Sequence, residues 1–157
     1  MATLTATRAS ANLPVAGHGF AGNLKVAWGT YELAANPAAN DVIRFCRVPK
    51  GATVVGGWLT GDDIDTGTEA LDIDIGWEAN GVDAADTDGF GNMGVLNGAA
   101  VTNVIPIAGI FRFLQGVLLA DGPKTFGAET VISGLVNAAA NAGGTGTLTV
   151  VVLYTVA

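Results

Sequence analysis

Hydrophobic and polar residues alternate with a period of two along most of the chain after Leu24. The alternation is clearest in residues 70–78, ALDIDIGWE, where four apolar residues are separated by Asp and Gly. Successive side chains of a β-strand point to opposite faces of the sheet. This segment is therefore predicted to be a half-buried strand with one face in water.

Similar patterns predict further strands, and turn residues such as Pro49-Lys50-Gly51 separate them. The additional segments are residues 41–48, 52–60, 109–119, 130–138 and 145–156. An Ala-rich stretch at 137–142 is short and ends in Gly-Gly, so we do not predict a helix there. About seven to nine short strands indicate an all-β fold, an antiparallel β-sandwich of jelly-roll type.

The first 23 residues show no strong period and are rich in Ala, Thr, Asn and Gly. We interpret residues 1–23 as an extended N-terminal arm that becomes ordered against something else. Residues 24–157 then form a single β-sandwich domain, which is long enough to bury a core without disulfides or metals.

Composition narrows the class of protein. Half of the 157 residues are hydrophobic, and only 13% are charged, about half the usual share for a soluble domain. Two long stretches without charge, residues 89–111 and 130–157, are interrupted by Gly, Asn or Pro, so neither is expected to span a membrane as a helix. The N-terminal residues lack the apolar segment of a signal peptide.

The net charge of −7 disfavours two kinds of partner. Duplex nucleic acid and anionic membranes both require clustered Lys and Arg, and the chain has seven such residues. We therefore expect neither as a partner. The single cysteine, Cys46, excludes an intramolecular disulfide.

Ten of the fourteen acidic residues lie between Asp62 and Asp88. They include two loop clusters whose carboxylates could converge on Ca²⁺, namely Asp62, Asp63 and Asp65, and Asp83, Asp86 and Asp88. The spacing does not fit an EF-hand loop. The alternative is a solvated acidic face that keeps the protein soluble, and we favour this alternative and expect no cofactor.

No arrangement of residues defines a catalytic site. Asp72 and Asp74 could form an acid/base pair as in glycosidases, but such spacing is ordinary on a wet strand face. The only histidine, His18, lies in the arm, and neither Ser10 nor Ser133 lies in a G-x-S-x-G motif. Arg44 and Arg47 could activate Cys46, although a strand cysteine is more often packed. We predict that the protein is not an enzyme.

Two further patterns have alternative readings. The G-x-G-x-x-G matches at 17–22 and 89–94 lack the βαβ context of a dinucleotide site, so we interpret them as loop glycines. Trp28, Trp58 and Trp77 fall in strand-like segments. They could form a sugar-stacking platform, but we expect anchors of the core or of an interface.

Residues 40–88 contain a strand ending in V-P-K-G-A, a second apolar strand, a D-x-D-T-G loop and LDIDIG, and Gly89-Phe90 completes the loop that follows. This pattern and the closing segment GTLTVVVLYTV resemble small structural proteins of tailed bacteriophages. Cys46, Arg47, Trp58 and Trp77 depart from the pattern, and residues 94–144 match nothing we can name.

The resemblance implies a virion protein, a decoration (cement) protein on the capsid exterior, commonly a homotrimer with a jelly-roll body. Such a protein is made in the host cytoplasm, and its partners are the major capsid protein and copies of itself. The low surface charge is compatible with burial against other subunits. The alternative function is a head-fibre or lectin-like module that binds host-surface glycans. A small hydrolase is a third, less favoured function.

Overall fold

The computed structural model describes residues 24–96 and 109–156, which contain nine strands and one short helix. The strands are β1 Lys25–Leu33, β2 Val42–Val48, β3 Ala52–Gly61, β4 Asp72–Trp77, β5 Asn92–Val95, β6 Ile110–Phe113, β7 Lys124–Thr125, β8 Thr130–Ala138 and β9 Gly146–Val156. The helix is α1 Val117–Ala120. All strand pairs are antiparallel.

The strands form two sheets. Sheet A has the order β1-β9-β3-β6, with β7 also paired to β3, and sheet B has the order β2-β8-β4-β5. Apolar side chains from alternate positions of both sheets fill the space between them. The predicted β-sandwich is thus confirmed. The arm predicted for residues 1–23 lies outside the described residues.

Three aromatic rings form the centre of the core. Trp77 packs edge-to-face on Phe90 and on Phe126, with ring centroids 5.0 and 5.3 Å apart. The indole Nε1 of Trp77 donates to the carbonyl of Ala84 at 2.9 Å, which satisfies its one polar atom. Trp77 therefore packs in the core and also holds the loop after β4 through its hydrogen bond to Ala84.

Most strand predictions are confirmed, with one exception. β8 spans the predicted residues, and β2, β3, β4 and β9 differ from the prediction by one or two residues at their ends. The predicted strand at 109–119 is correct only as far as Phe113, because Gly116 has a φ of 57° and starts the turn of α1. Among the described residues, no helix is long and apolar enough to cross a membrane.

The wet face predicted for the β4 segment is wrong. Asp74 is 8% exposed, and Gly76 is also buried. The segment after Asp86 runs back along β4, where the N–H of Trp77 donates to the carbonyl of Asp86 and the N–H of Phe90 donates to the carbonyl of Ile75. A Cβ at position 76 would collide with the backbone of Asp86 and Thr87. This return segment covers the outer side of β4 from Ile75 to Trp77.

Candidate interaction surface

The outer side of sheet A carries a line of large apolar side chains. Trp28 on β1 is paired with Val151 on β9, Val151 with Trp58 on β3, and Trp58 with Phe113 on β6. Adjacent strands are about 4.8 Å apart, so the line is about 14 Å long. It crosses all four strands of the sheet order.

The alternation of side chains along β9 shows that this line lies on the outer side of sheet A. Val150 and Val152 are fully buried in the core, so Val151 between them faces outward. At the two ends of the line, Trp28 is 66% exposed and Phe113 is 59% exposed. Large aromatic side chains left this exposed in a contiguous patch are typical of a binding surface.

Aromatic contacts hold the β6 end of the line in place. Phe111 and Phe113 pack edge-to-face with ring centroids 4.9 Å apart, and Phe111 also stacks on Trp58 at 6.5 Å. Packed rings lose little conformational entropy when a partner covers them. These side chains are therefore suited to act as rigid anchors.

The lines on either side of the aromatic one are uncharged. One contains threonines, and Thr30 and Thr149 share a hydrogen bond between their hydroxyl oxygens at 2.8 Å. A charged residue, Glu32, lies at one end of β1, where it accepts from the hydroxyl of Thr147 at 2.7 Å. We call this surface the sheet-A face and define it by its outward residues, Val26, Trp28, Thr30, Trp58, Thr60, Phe111, Phe113, Thr149, Val151 and Leu153.

The three tryptophans have different environments. Trp77 is a core residue, 3% exposed, as one sequence interpretation expected. Trp28 is exposed and Trp58 half-buried, and both belong to the sheet-A face. The sequence could not distinguish the faces, because both alternating positions of β9 are apolar over residues 150–153.

The three aspartates of the first acidic cluster have different environments. Asp65 is 1% exposed, and its carboxylate accepts from four backbone N–H groups, those of Ala70, Leu71, Asn141 and Ala142. The hydrogen bond from Ala70 contributes most to lowering the pKa of Asp65 to about 2. Asp62 accepts from the N–H of Thr147 at 2.9 Å, and Asp63 is exposed. Asp65 is therefore not part of a solvated acidic face. Its carboxylate joins the loop before β4 to the loop before β9.

The second cluster divides into two environments. Asp83 accepts from the amide of Asn80 and the N–H of Gly127 and pairs with Lys124 at 3.4 Å, and these contacts lower its pKa. The pKa of Asp86 is raised by burial and by its contact with Asp88. Across the described parts of the chain, no three His, Cys, Asp or Glu side chains are grouped to hold a metal ion.

Cys46 is a packed residue. Burial raises the pKa of its thiol to about 11, so the thiol is protonated at neutral pH. The neighbouring arginines do not activate it, because Arg44 pairs with Glu78 at 2.6 Å and Arg47 with Glu129 at 2.8 Å. The raised pKa and these ion pairs favour the packed cysteine that the sequence suggested over an activated thiol.

The second G-x-G-x-x-G segment is a turn and a strand. Gly91 and Gly94 have φ of 111° and 67°, and β5 follows Gly91 where a dinucleotide site would need a helix. The interpretation as loop glycines holds for Gly89 and Gly91, whereas Gly94 lies within β5. The first segment, His18 and Ser10 lie outside the described residues, and Ser133 is 5% exposed.

A groove of about 510 Å³ lies on the outer side of sheet B. Val42 and Leu135 supply part of its apolar lining, and the charged groups among its described lining residues are Arg44 and Glu78. These two side chains bind each other through two hydrogen bonds. The groove therefore shows no acid/base pair of the kind that hydrolysis would require.

The chain shares its fold with chains from three phage capsid structures. They are the cyanophage Pam1 capsid asymmetric unit (25% identity, TM-score 0.62, 95% of this chain and 96% of that one), the capsid of Ralstonia phage GP4 (22%, 0.60, 92% and 90%) and the acidic stable capsid of Helicobacter pylori bacteriophage KHP30 (17%, 0.56, 85% and 88%). No protein-family model and no curated protein matches the chain. Over most of its length, the chain therefore has the fold of chains found in phage capsids.

Proposed function

We propose that the chain is a phage capsid decoration protein, which binds the outside of the head and stabilises it by bridging capsid subunits. The fold shared with capsid chains supports a structural role in a virion. The observation that carries the proposal is the sheet-A face, which presents exposed aromatic side chains and no charge in its central lines.

The size of the sheet-A face fits a specific protein interface. Three strands of 9, 11 and 10 residues and the 4-residue β6 cover roughly 500 Å². A standard interface buries about 800 Å² on each partner. Contacts from the adjoining loops or from residues 1–23 would supply the remainder. Trp28 and Phe113 would supply much of the binding energy, because exposed aromatic anchors dominate interfaces when they become buried.

Most of the acidic residues lie on β4 and on the loops between β3 and β5. In the proposed orientation the sheet-A face contacts the shell, and the opposite side of the sandwich faces solvent. The partners are then the major capsid protein and further copies of this chain, with a homotrimer as the expected assembly. In this role the protein has no catalytic step.

The test is binding to heads that lack the protein. Purified chain is mixed with such heads, sedimented, and the heads are then heated while DNA release is followed. We expect saturable binding and a higher release temperature. Binding without any change in release temperature would contradict the stabilising role. Absence of binding would contradict the decoration role altogether.

A glycan-binding module is the second candidate function. Trp28 favours it, because an exposed indole can stack on a sugar ring. A glycan array with and without chelator distinguishes the two functions. Saturable binding of one glycan class, lost in Trp28→Ala, would favour the glycan module over the decoration protein.

A further inference from the structure

Two neighbouring carboxylates on sheet B have buried oxygen atoms without a partner. Ile73 and Ile75 on β4 are fully buried in the core, so Asp72 and Asp74 face the other side of the sheet. Within the described part of the chain, Oδ1 of Asp72 and Oδ1 of Asp74 are buried and accept no hydrogen bond. Asp74 as a whole is 92% buried, since only 8% of its surface is exposed.

Unpartnered buried carboxylates are costly. A buried charge is normally paired, hydrogen-bonded or bound to a metal, because removal from water is otherwise unfavourable. Residues 51–111 contain no Lys or Arg. Two of the basic residues pair with other carboxylates, Arg44 with Glu78 and Lys124 with Asp83. Among the residues that the structure describes, no salt bridge involves Asp72 or Asp74.

Further negative charge surrounds the pair. Asp88 acts on Asp74 through space, as Asp72 does, and burial is the largest of the causes that raise the pKa of Asp74. A hydrogen bond with the side chain of Asn137 acts in the other direction and lowers the pKa of Asp74. Asn92 is the β5 residue paired with Asp74, and Leu135 is its partner on β8. The surroundings therefore hold oxygen ligands and excess negative charge.

We propose that Asp72 and Asp74 bind a hydrated hard divalent cation on the outer side of sheet B. Carboxylate and amide oxygens are the ligands that Mg²⁺, Ca²⁺ and Mn²⁺ prefer. Two carboxylates alone do not fill the coordination shell of such a cation. They suit a cation that keeps several of its waters, as Mg²⁺ does when one or two carboxylates bind it.

This site differs from the Ca²⁺ site in the loop clusters that the sequence left as the less favoured alternative. Of the six aspartates in the two loop clusters, Asp88 acts on Asp74 through space, and Asp65 and Asp83 accept hydrogen bonds from backbone N–H groups. The proposal stands independently of the decoration role. A proton shared between the two carboxylates is the competing way to satisfy the buried oxygens.

Thermal unfolding of the full chain tests the proposal. Chelator-treated protein at pH 7 is heated with added MgCl₂ or CaCl₂ in the millimolar range, against NaCl of equal ionic strength. We expect Tm to rise by about 3–6 °C at a cation concentration tenfold above Kd. The rise should be lost in Asp74→Asn and in Asp72→Asn. It should persist in Asp63→Asn, which removes the same charge from an exposed position.

A paramagnetic probe locates the cation directly. Mn²⁺ added to isotope-labelled protein should broaden the amide resonances of β4 and of residues near Asp88 before any others. An equal rise in Tm for wild type and Asp74→Asn would overturn the proposal, because it would indicate diffuse screening. No response to any of the cations would also overturn it, and would favour the shared proton.

Discussion

Trp28 and Phe113 lie at opposite edges of sheet A and on the same outward side of it. Val151 and Trp58 join them in one cross-strand line. The two residues are 85 positions apart in the sequence, and only the order β1-β9-β3-β6 aligns them. Exposed apolar side chains of this kind contribute little to the stability of the isolated protein. They contribute to the free energy of binding when a partner covers them.

Replacing Trp28 should weaken binding to heads while leaving the stability of the fold nearly unchanged. Trp28→Ser removes an anchor that is 66% exposed, so we expect the free energy of unfolding to change by less than about 0.5 kcal/mol. Affinity for heads should fall about 30-fold or more, as for an interface hot spot. The matched control is Leu119→Ser, an apolar residue of α1 that is 76% exposed. Equal binding losses in both variants would contradict a role of the sheet-A face.

Asp65 makes the protein sensitive to acid. Its pKa is lowered to about 2 from 3.8, so its carboxylate stabilises the fold fully above the unfolded value and loses that effect as pH falls from about 4 to 2. Asp65→Asn should lower Tm at pH 7 and flatten the acid limb of a Tm–pH profile. Asp63→Asn should leave that limb unchanged. A wild-type acid limb in Asp65→Asn would contradict the assignment.

Asp74 should act in the opposite direction. Its pKa is raised by burial and neighbouring carboxylates, so its protonated form favours the fold, and stability is lost as pH rises through the folded pKa. In chelator, Asp74→Asn should therefore have a higher Tm than wild type at pH 7. The difference should shrink towards pH 4. Thermal melts across this range check the sign, and a Tm below wild type at pH 7 would refute it.

Cys46 should resist alkylation in the folded protein. With a pKa of about 11, its thiolate fraction at pH 8 is on the order of 100-fold below that of a free cysteine. Reaction with a chromogenic disulfide should be slower by at least this factor in native protein and should recover in guanidinium chloride. A native rate equal to the denatured rate would contradict the raised pKa of Cys46.

The sequence predicted strands better than it predicted faces. Alternation located β2, β3, β4, β8 and β9, because the period of two is a local property. The outer side of β4 could not be predicted, since no hydrophobic pattern indicates that the loop after β4 folds back and pairs Asp86 with Trp77. The alternate polar positions of β4 were therefore predicted to face solvent, whereas in the structure Asp74 and Gly76 are buried.

The candidate surface was hidden for a related reason. Val150, Val151 and Val152 are equally apolar in sequence, and only the packed sandwich shows that the middle one faces out. The low overall charge did indicate that some surface would be neutral. Its location required the pairing of β1, β9, β3 and β6.

Cryo-EM of heads from the phage that encodes the chain tests the central claim most directly. The proposal predicts density for this fold in many symmetry-related copies on the capsid exterior. The sheet-A face should contact the shell, with Trp28 and Phe113 buried at the contact. Heads that lack such density, or copies bound with Trp28 and Phe113 facing solvent, would contradict the proposal.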